Sequence, residues 1–197
     1  MTTRTENDGR RQSPARARIL NAAAQHFYAD GIAATGIDVI TASAGVAKMS
    51  LYNNFASKAA LVEAYIDARH EEWLGLYQAR LADAATAQEA VLAVFDAYID
   101  HAAAAYSHGF RGCGLLNAAA ELGADDPGRT AVRNHKEHVE RLLIAHLTTL
   151  TDPLAAQRLA ERLSFLLEGA MARAGLEGEP TRLLHARDFA AEMLAAL

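Results

Sequence analysis

TGIDVITASAGVAKMSLYNNFASK, residues 35–58, is the stretch that decides how this chain folds. Ile37, Ile40 and Ala44 recur at helical spacing and make one apolar face. Gly45 interrupts that helix, and Val46 follows as an inward turn residue. A second short helix opens near Ala47 and carries Leu51 and Phe55 on its inner side. Two short helices joined by a tight turn with Gly are the helix-turn-helix layout, in which the second helix enters the major groove of DNA. Lys48, Met49, Ser50, Tyr52 and Asn53 then fall on or near the outward face. Lys48 suits phosphate or guanine, Ser50 and Asn53 suit base edges or phosphates, Tyr52 can donate to phosphate, and Met49 suits a thymine methyl. Thr35 joins this set as the expected cap of the first helix, with Asp38 three residues on. Lys58 and the free N–H groups of the helix it begins form an expected phosphate site.

Around this stretch the composition favours helices. Alanine is abundant, valine and isoleucine are scarce, and there are four prolines. An apolar content of 51% with 22% charged residues places the chain among globular proteins. No run of about 18 apolar residues exists, so no membrane span is expected. The first residues lack the apolar core of a secretory signal, and the single cysteine, Cys113, allows no intrachain disulfide, so the expected location is cytoplasmic. Residues 1–58 carry seven Lys/Arg against four Asp/Glu, a net +3, while residues 59–197 carry twelve against twenty, a net −8. A basic head on an acidic body fits a protein that meets DNA at one end.

Read in order, the chain is all-α with about nine helices. Residues 1–14 are a polar arm with Arg4, Arg10 and Arg11, expected to be disordered. Helix 1 runs over about 14–28, and residues 15–58 form a three-helix DNA-binding domain. Ser57 caps a long helix 4 over about 58–81, able to reach from that domain into the next. Helix 5 covers about 87–107, helix 6 about 115–122, and helix 7 runs to about 150. Asp152-Pro153 restarts the chain as helix 8 to about 174, where Gly175 and Gly178 are expected to end it. Helix 9 runs from about 180 to the end with a stripe of Ala, Leu and Met. Residues 59–197 are the second, helical domain.

The match of individual positions is specific. Ile40, Ala44, Gly45, Val46, Leu51, Tyr52, Phe55, Lys58 and Leu61, preceded by Ile19, Ala22, Phe27 and Gly31, resemble the N-terminal domain of the TetR family of transcriptional regulators. FRGCGLLNAAAE, residues 110–121, is similar to a segment seen in many members. The chain departs from the pattern at Thr41, Ala47, Met49 and Ala59. Thr41 fits if its hydroxyl bonds back to its own helix. Ala47 forgoes a Ser or Thr cap, a loss of about 1 kcal/mol.

The resemblance implies a homodimer through helices 8 and 9, with two heads in successive major grooves of a double-stranded DNA operator. The stripe on helix 9, which one small domain could hardly bury alone, points the same way. The resemblance also implies a cavity among helices 4 to 8 for a small-molecule effector. Trp73, Tyr77, Phe95, Tyr98, Phe110, Cys113, Asn117, Glu121, His138 and Phe165 are its candidate lining, with Asn117, Glu121 and His138 placed to orient the ligand.

Cys113, beside Arg111 in a Gly-rich segment, is the candidate thiol of a redox or electrophile sensor, or else a small buried residue at a helix start. His135 and His138 are one turn apart, but no third ligand or zinc motif accompanies them, so no metal and no cofactor are expected. No nucleophile–base set, carboxylate pair or phosphate loop points to an enzyme. The resulting expectation is a repressor released from a palindromic operator by a small, mainly apolar effector. The alternative is a helical ligand- or stress-sensing dimer with secondary or lost DNA binding.

Overall fold

A computed structural model describes residues 13–103 and 109–197. Nine helices and no strands occur among them: α1 Pro14–Ala29, α2 Ile37–Ala44, α3 Lys48–Asn54, α4 Lys58–Ala82, α5 Ala87–Ala103, α6 Gly114–Glu121, α7 Pro127–Leu147, α8 Pro153–Glu177 and α9 Thr181–Ala195. The all-α architecture agrees with the sequence reading. The expected arm lies outside the described residues apart from its last two positions. So does the stretch that would carry α5 on to Ser107.

Local chemistry accounts for most helix boundaries. Ser13 accepts from Arg16 N–H at 3.1 Å, with Pro14 at the first helical position. Ser57 accepts from Ala60 N–H at 3.1 Å, and the Asp152 carboxylate accepts from Leu154 and Ala155 N–H, both at 3.1 Å. Gly45 closes α2 in the left-handed region, φ 61°, where a Cβ would be strained. Ala47 sits in the cap position of α3 with no side-chain hydrogen bond. The Thr41 hydroxyl donates back to Asp38 O at 3.1 Å, so this buried threonine fits the helix contact.

Three boundaries differ from expectation. α2 is capped by Gly36, not Thr35, because the Thr35 hydroxyl turns the other way and donates to Gly31 O at 2.6 Å. α7 stops at Leu147, where Thr148 and Thr149 bond back to Ala145 O and His146 O and the backbone tightens into a turn. α8 runs through Gly175 to Glu177. Gly175 is there for a close approach: a Cβ on it would lie 2.6 Å from Gly112 Cα and N.

α1 packs against α2, α3 and α4 to make the head, and α4, about 37 Å long over its 25 residues, continues from it into the body. There α4, α5, α7, α8 and α9 pack against one another, and α6 bridges α1, α4 and α7. One apolar core runs from Ile19 through Phe55, Tyr65, Phe95 and Leu143 to Leu194. Head and body therefore share buried contacts along α4, so a displacement of α4 is felt at both ends.

Candidate nucleic-acid interface and interior cavity

On α3, Leu51 is fully buried and Phe55 follows it inward, which turns the other side of the helix outward. Lys48, Met49, Tyr52 and Asn53 are exposed, with Met49 71% accessible, and Ser50 is half-buried. Met49 is thus a large apolar side chain left in water. Lys48 Nζ sits 2.9 Å from Asp38 Oδ1 of α2, and that hydrogen bond raises its pKa. The C-terminal end of α3 is pinned to α1: Ser13 Oγ donates to Asn54 Oδ1 at 2.8 Å, and the Arg16 guanidinium lies 4.6 Å over the Phe55 ring.

Two members of the expected DNA-contact set sit elsewhere. Thr35 is 2% exposed with its hydroxyl on Gly31 O, so it shapes the turn before α2 and offers nothing to a ligand. Lys58 is half-buried, and its ammonium donates to Ile32 O at 2.6 Å, so one of its three donors ties the turn before α2 to the start of α4.

The body grips the same turn from the other side. Glu121 at the end of α6 accepts from Ile32 N–H at 2.9 Å and from Ala33 N–H at 2.7 Å. Arg111 donates to the carbonyls of Tyr28 and Ala29 at the end of α1, and its own backbone N–H donates to Tyr28 Oη at 2.5 Å. Glu121 thus joins head to body and does not face the interior. Asn117 likewise donates to Arg111 O at 3.1 Å, stiffening that segment from outside the cavity.

Between α4, α5, α6, α7 and α8 lies a small cavity of about 20 Å³. Of the ten expected lining residues, Trp73, Tyr98 and Cys113 face it; Arg69, His101, His135, Gly114, Leu115 and Met171 complete its wall. Phe95 and Phe110 are buried in the core away from it, and Tyr77 stacks on Trp73 while its hydroxyl pairs with His146 Nε2 at 2.6 Å. Phe165 is 69% exposed on α8 and cannot line it. His138 faces a wider surface groove of about 310 Å³ between α4 and α7, with His70, Asn134 and Arg141. His135 borders both spaces.

The wall is polar. Lys136 Nζ lies 2.7 Å from Glu168 Oε1, 3.4 Å from Tyr98 Oη and 3.6 Å from Cys113 Sγ. Burial opposes the charge on Lys136, but Cys113, Tyr98 and Glu168 together outweigh it and hold the ammonium above its usual range. Burial, then nearby cations, keep His135 neutral, its pKa lowered to about 3, and His101 likewise, lowered to about 4. His70 Nδ1 is 2.8 Å from His135 Nδ1, and its ring also packs against His138. These rings pair with each other instead of converging on one point. No group of three metal-binding side chains with suitable geometry occurs among the described residues.

Sequence reasoning missed Arg69, His70 and His101. Arg69 and Trp73 are four residues apart on α4 and share a face, a spacing visible in the sequence. The helix that His70 and His101 would meet was not visible there.

Residues 19–65 match the model of the family described as bacterial regulatory proteins, tetR family. The chain is 43% identical over 56 residues to the HTH-type transcriptional regulator TtgR of Pseudomonas putida, a stretch covering 28% of this chain and only 27% of that relative. Over nearly its whole length it resembles SCO4454, a TetR-family transcriptional regulator from Streptomyces coelicolor, with 32% identity and a TM-score of 0.82, covering 93% of this chain and 97% of that one. A regulatory protein TetR from Rhodobacter sphaeroides superposes with a TM-score of 0.75 at 27% identity, covering 91% and 98%. No helix among the described residues is long and apolar enough to cross a membrane.

Proposed function

The chain belongs to the TetR family of bacterial regulatory proteins, and on that premise we propose that it is a repressor that binds a palindromic operator as a dimer and leaves it when a small effector enters the body. The observation that carries this reading is the outward side of α3, where Lys48, Met49, Tyr52 and Asn53 stand exposed on the second helix of the turn motif. Lys48 and Tyr52 take phosphates, while Met49, Ser50 and Asn53 reach base edges. Lys48 exchanges Asp38 for a phosphate on binding. Two heads read two half-sites about 34–36 Å apart, joined through α8 and α9.

Release follows from the tightness of the body. The cavity of about 20 Å³ has room for about one water. A ring-sized effector fits only in a state where α4 has moved away from α7. It therefore binds that state more tightly and shifts the population toward it. α4 transmits the movement to the head it begins beside.

A mobility shift on the DNA upstream of the gene tests the reading. Binding falls steeply with salt, and Lys48→Ala and Tyr52→Ala weaken it. Unchanged affinity in both variants means that α3 is not the contact face.

A second reading rests on Cys113 Sγ, 3.6 Å from Lys136 Nζ. Here the chain is a stress-sensing dimer in which DNA binding is secondary or lost. Peroxide oxidises the thiol to a sulfenic acid, its second oxygen leaving as water. If Cys113→Ser still responds to peroxide, Cys113 is structural.

A further inference from the structure

We propose that the effector is a small aromatic carboxylate whose oxygens are taken by Arg69 and Trp73, one turn apart on α4, with its ring between Tyr98, Leu115 and Met171. This rests on the effector-responsive reading above and names the ligand class of that cavity.

The balance of donors and acceptors carries the inference. Trp73 is 3% exposed and lines the cavity, yet its Nε1–H has no partner among the described residues. Arg69 lines the same cavity, and its Nε–H is also buried without a partner among the described residues, although Nη1 pairs with Glu72 Oε2 at 2.6 Å. Indole and guanidinium N–H groups only donate, so each of these two groups calls for an acceptor. Buried donors need partners, and a guest that displaces the one water the space can hold must bring acceptor oxygens of its own. Two donors on one helix face match the two oxygens of a carboxylate, and the permanent charge of Arg69 favours an anion over a neutral carbonyl.

Glu72 already occupies the Nη1 side of the Arg69 guanidinium, so a ligand carboxylate takes the Nε side, and the other charges do not oppose it. Lys136 is matched by Glu168, whose carboxylate is not part of the cavity wall. His101 and His135 are neutral imidazoles. The rest of the wall is apolar or aromatic, with the Tyr98 ring centroid 5.4 Å from that of Trp73, which suits a ring. His135 separates the cavity from the α4–α7 groove, which is wide enough to admit that ring once the His70–His135 pair parts. Both donors belong to α4, so the ligand would grip the helix that carries the head.

Trp73 is the only tryptophan in the chain, so intrinsic fluorescence of the full-length protein reports on this wall directly. Titration with benzoate and with benzyl alcohol compares one ring with and without the carboxylate. Benzoate is expected to bind at least about tenfold more tightly. Arg69→Met, with its circular dichroism unchanged, is expected to reduce that advantage to about twofold or less. Calorimetry repeats both titrations independently of the fluorophore. Equal affinity for the two probes, no binding of benzoate by either method, or an advantage that survives in Arg69→Met overturns the assignment. A parallel mobility shift separates the two readings. If the neutral ring alone releases DNA, the carboxylate assignment fails and the regulator stands. If the protein binds no DNA at low salt, the regulator fails while the titration still decides the ligand class.

Discussion

Glu121 and Lys58 hold the Ile32 residue from opposite sides: the carboxylate accepts its N–H at 2.9 Å and the ammonium donates to its carbonyl at 2.6 Å. One clamp comes from the end of α6 and the other from the first residue of α4, so the turn between α1 and α2 is tied to both helices. Charge-assisted bonds to backbone groups are stronger than neutral ones, although this pair is partly solvated. Glu121→Ala is expected to lower stability by about 1 kcal/mol and to speed amide exchange at Ile32 and Ala33 specifically. Unchanged exchange at those two amides would mean that Glu121 is only a surface carboxylate.

The uncapped start of α3 is a local weakness that one atom can mend. Ala47 has extended backbone angles, φ −71° and ψ 150°, suited to a cap residue, but has no oxygen to offer. Ala47→Ser places a hydroxyl where it accepts from the second or third N–H of α3. The expected gain is about 1 kcal/mol, seen as a higher urea midpoint at constant slope. A midpoint that does not rise shows that water already caps the helix well.

The head was legible in the sequence because its determinants are local. Gly45, Leu51, Phe55 and the Ser57 cap act within a few residues of themselves, and the helix-turn-helix forms where they place it. The end of α8 was not legible, because Gly175 looks like a stop until Gly112 is seen against it. The inward bonds of Thr35 and Lys58 were not legible for the same reason: their partners, Gly31 O and Ile32 O, lie on a turn whose direction the sequence does not state. In the body, periodicity named the buried aromatic residues. Only interhelical packing decides that Trp73 and Tyr98 face the cavity while Phe95 faces the core and Phe165 faces outward.

The contact between Gly112 and Gly175 is a packing constraint with a sharp outcome. A methyl group on Gly175 would stand 2.6 Å from Gly112 Cα and N and 2.9 Å from the Arg111 carbonyl carbon, all backbone. Backbone cannot swing aside, so α8 and the segment before α6 must separate. Gly175→Ala is expected to cost about 1–3 kcal/mol despite the better helix propensity of alanine, measured by denaturant unfolding. A neutral or stabilised variant would show that the two segments separate freely.

Acid should destabilise the fold through its buried imidazoles. The folded pKa of His135 is lowered to about 3 by burial first and then by Lys136 and the neighbouring histidines, against 6.5 when unfolded. Its neutral form therefore contributes fully above the unfolded value, and the contribution is lost as pH falls, when the unfolded chain takes up the proton first. Between pH 7 and pH 5 this one group removes about 2 kcal/mol. His101, lowered to about 4, acts in the same direction. Chemical denaturation across that range is expected to show the decline, and His135→Asn to flatten it. A decline of equal slope in the variant would assign the effect to other groups.

The outward faces of α8 and α9 carry large apolar side chains: Leu154, Phe165 and Leu176 on the first, Leu184 and Phe189 on the second. Phe165 is 69% exposed and Leu176 84%, on helices whose opposite faces already fill the core. A second copy packed on this face would bury them by two-fold symmetry, and a stable dimer needs about 800 Å² from each partner. Burying one phenylalanine contributes about 2–3 kcal/mol. The double variant Phe165→Glu and Phe189→Glu replaces two such side chains with charges and leaves the core untouched. Sedimentation is expected to show a folded monomer, and operator binding is expected to fall with it, since one head meets only one half-site. A variant that sediments as a dimer would move the interface to another face.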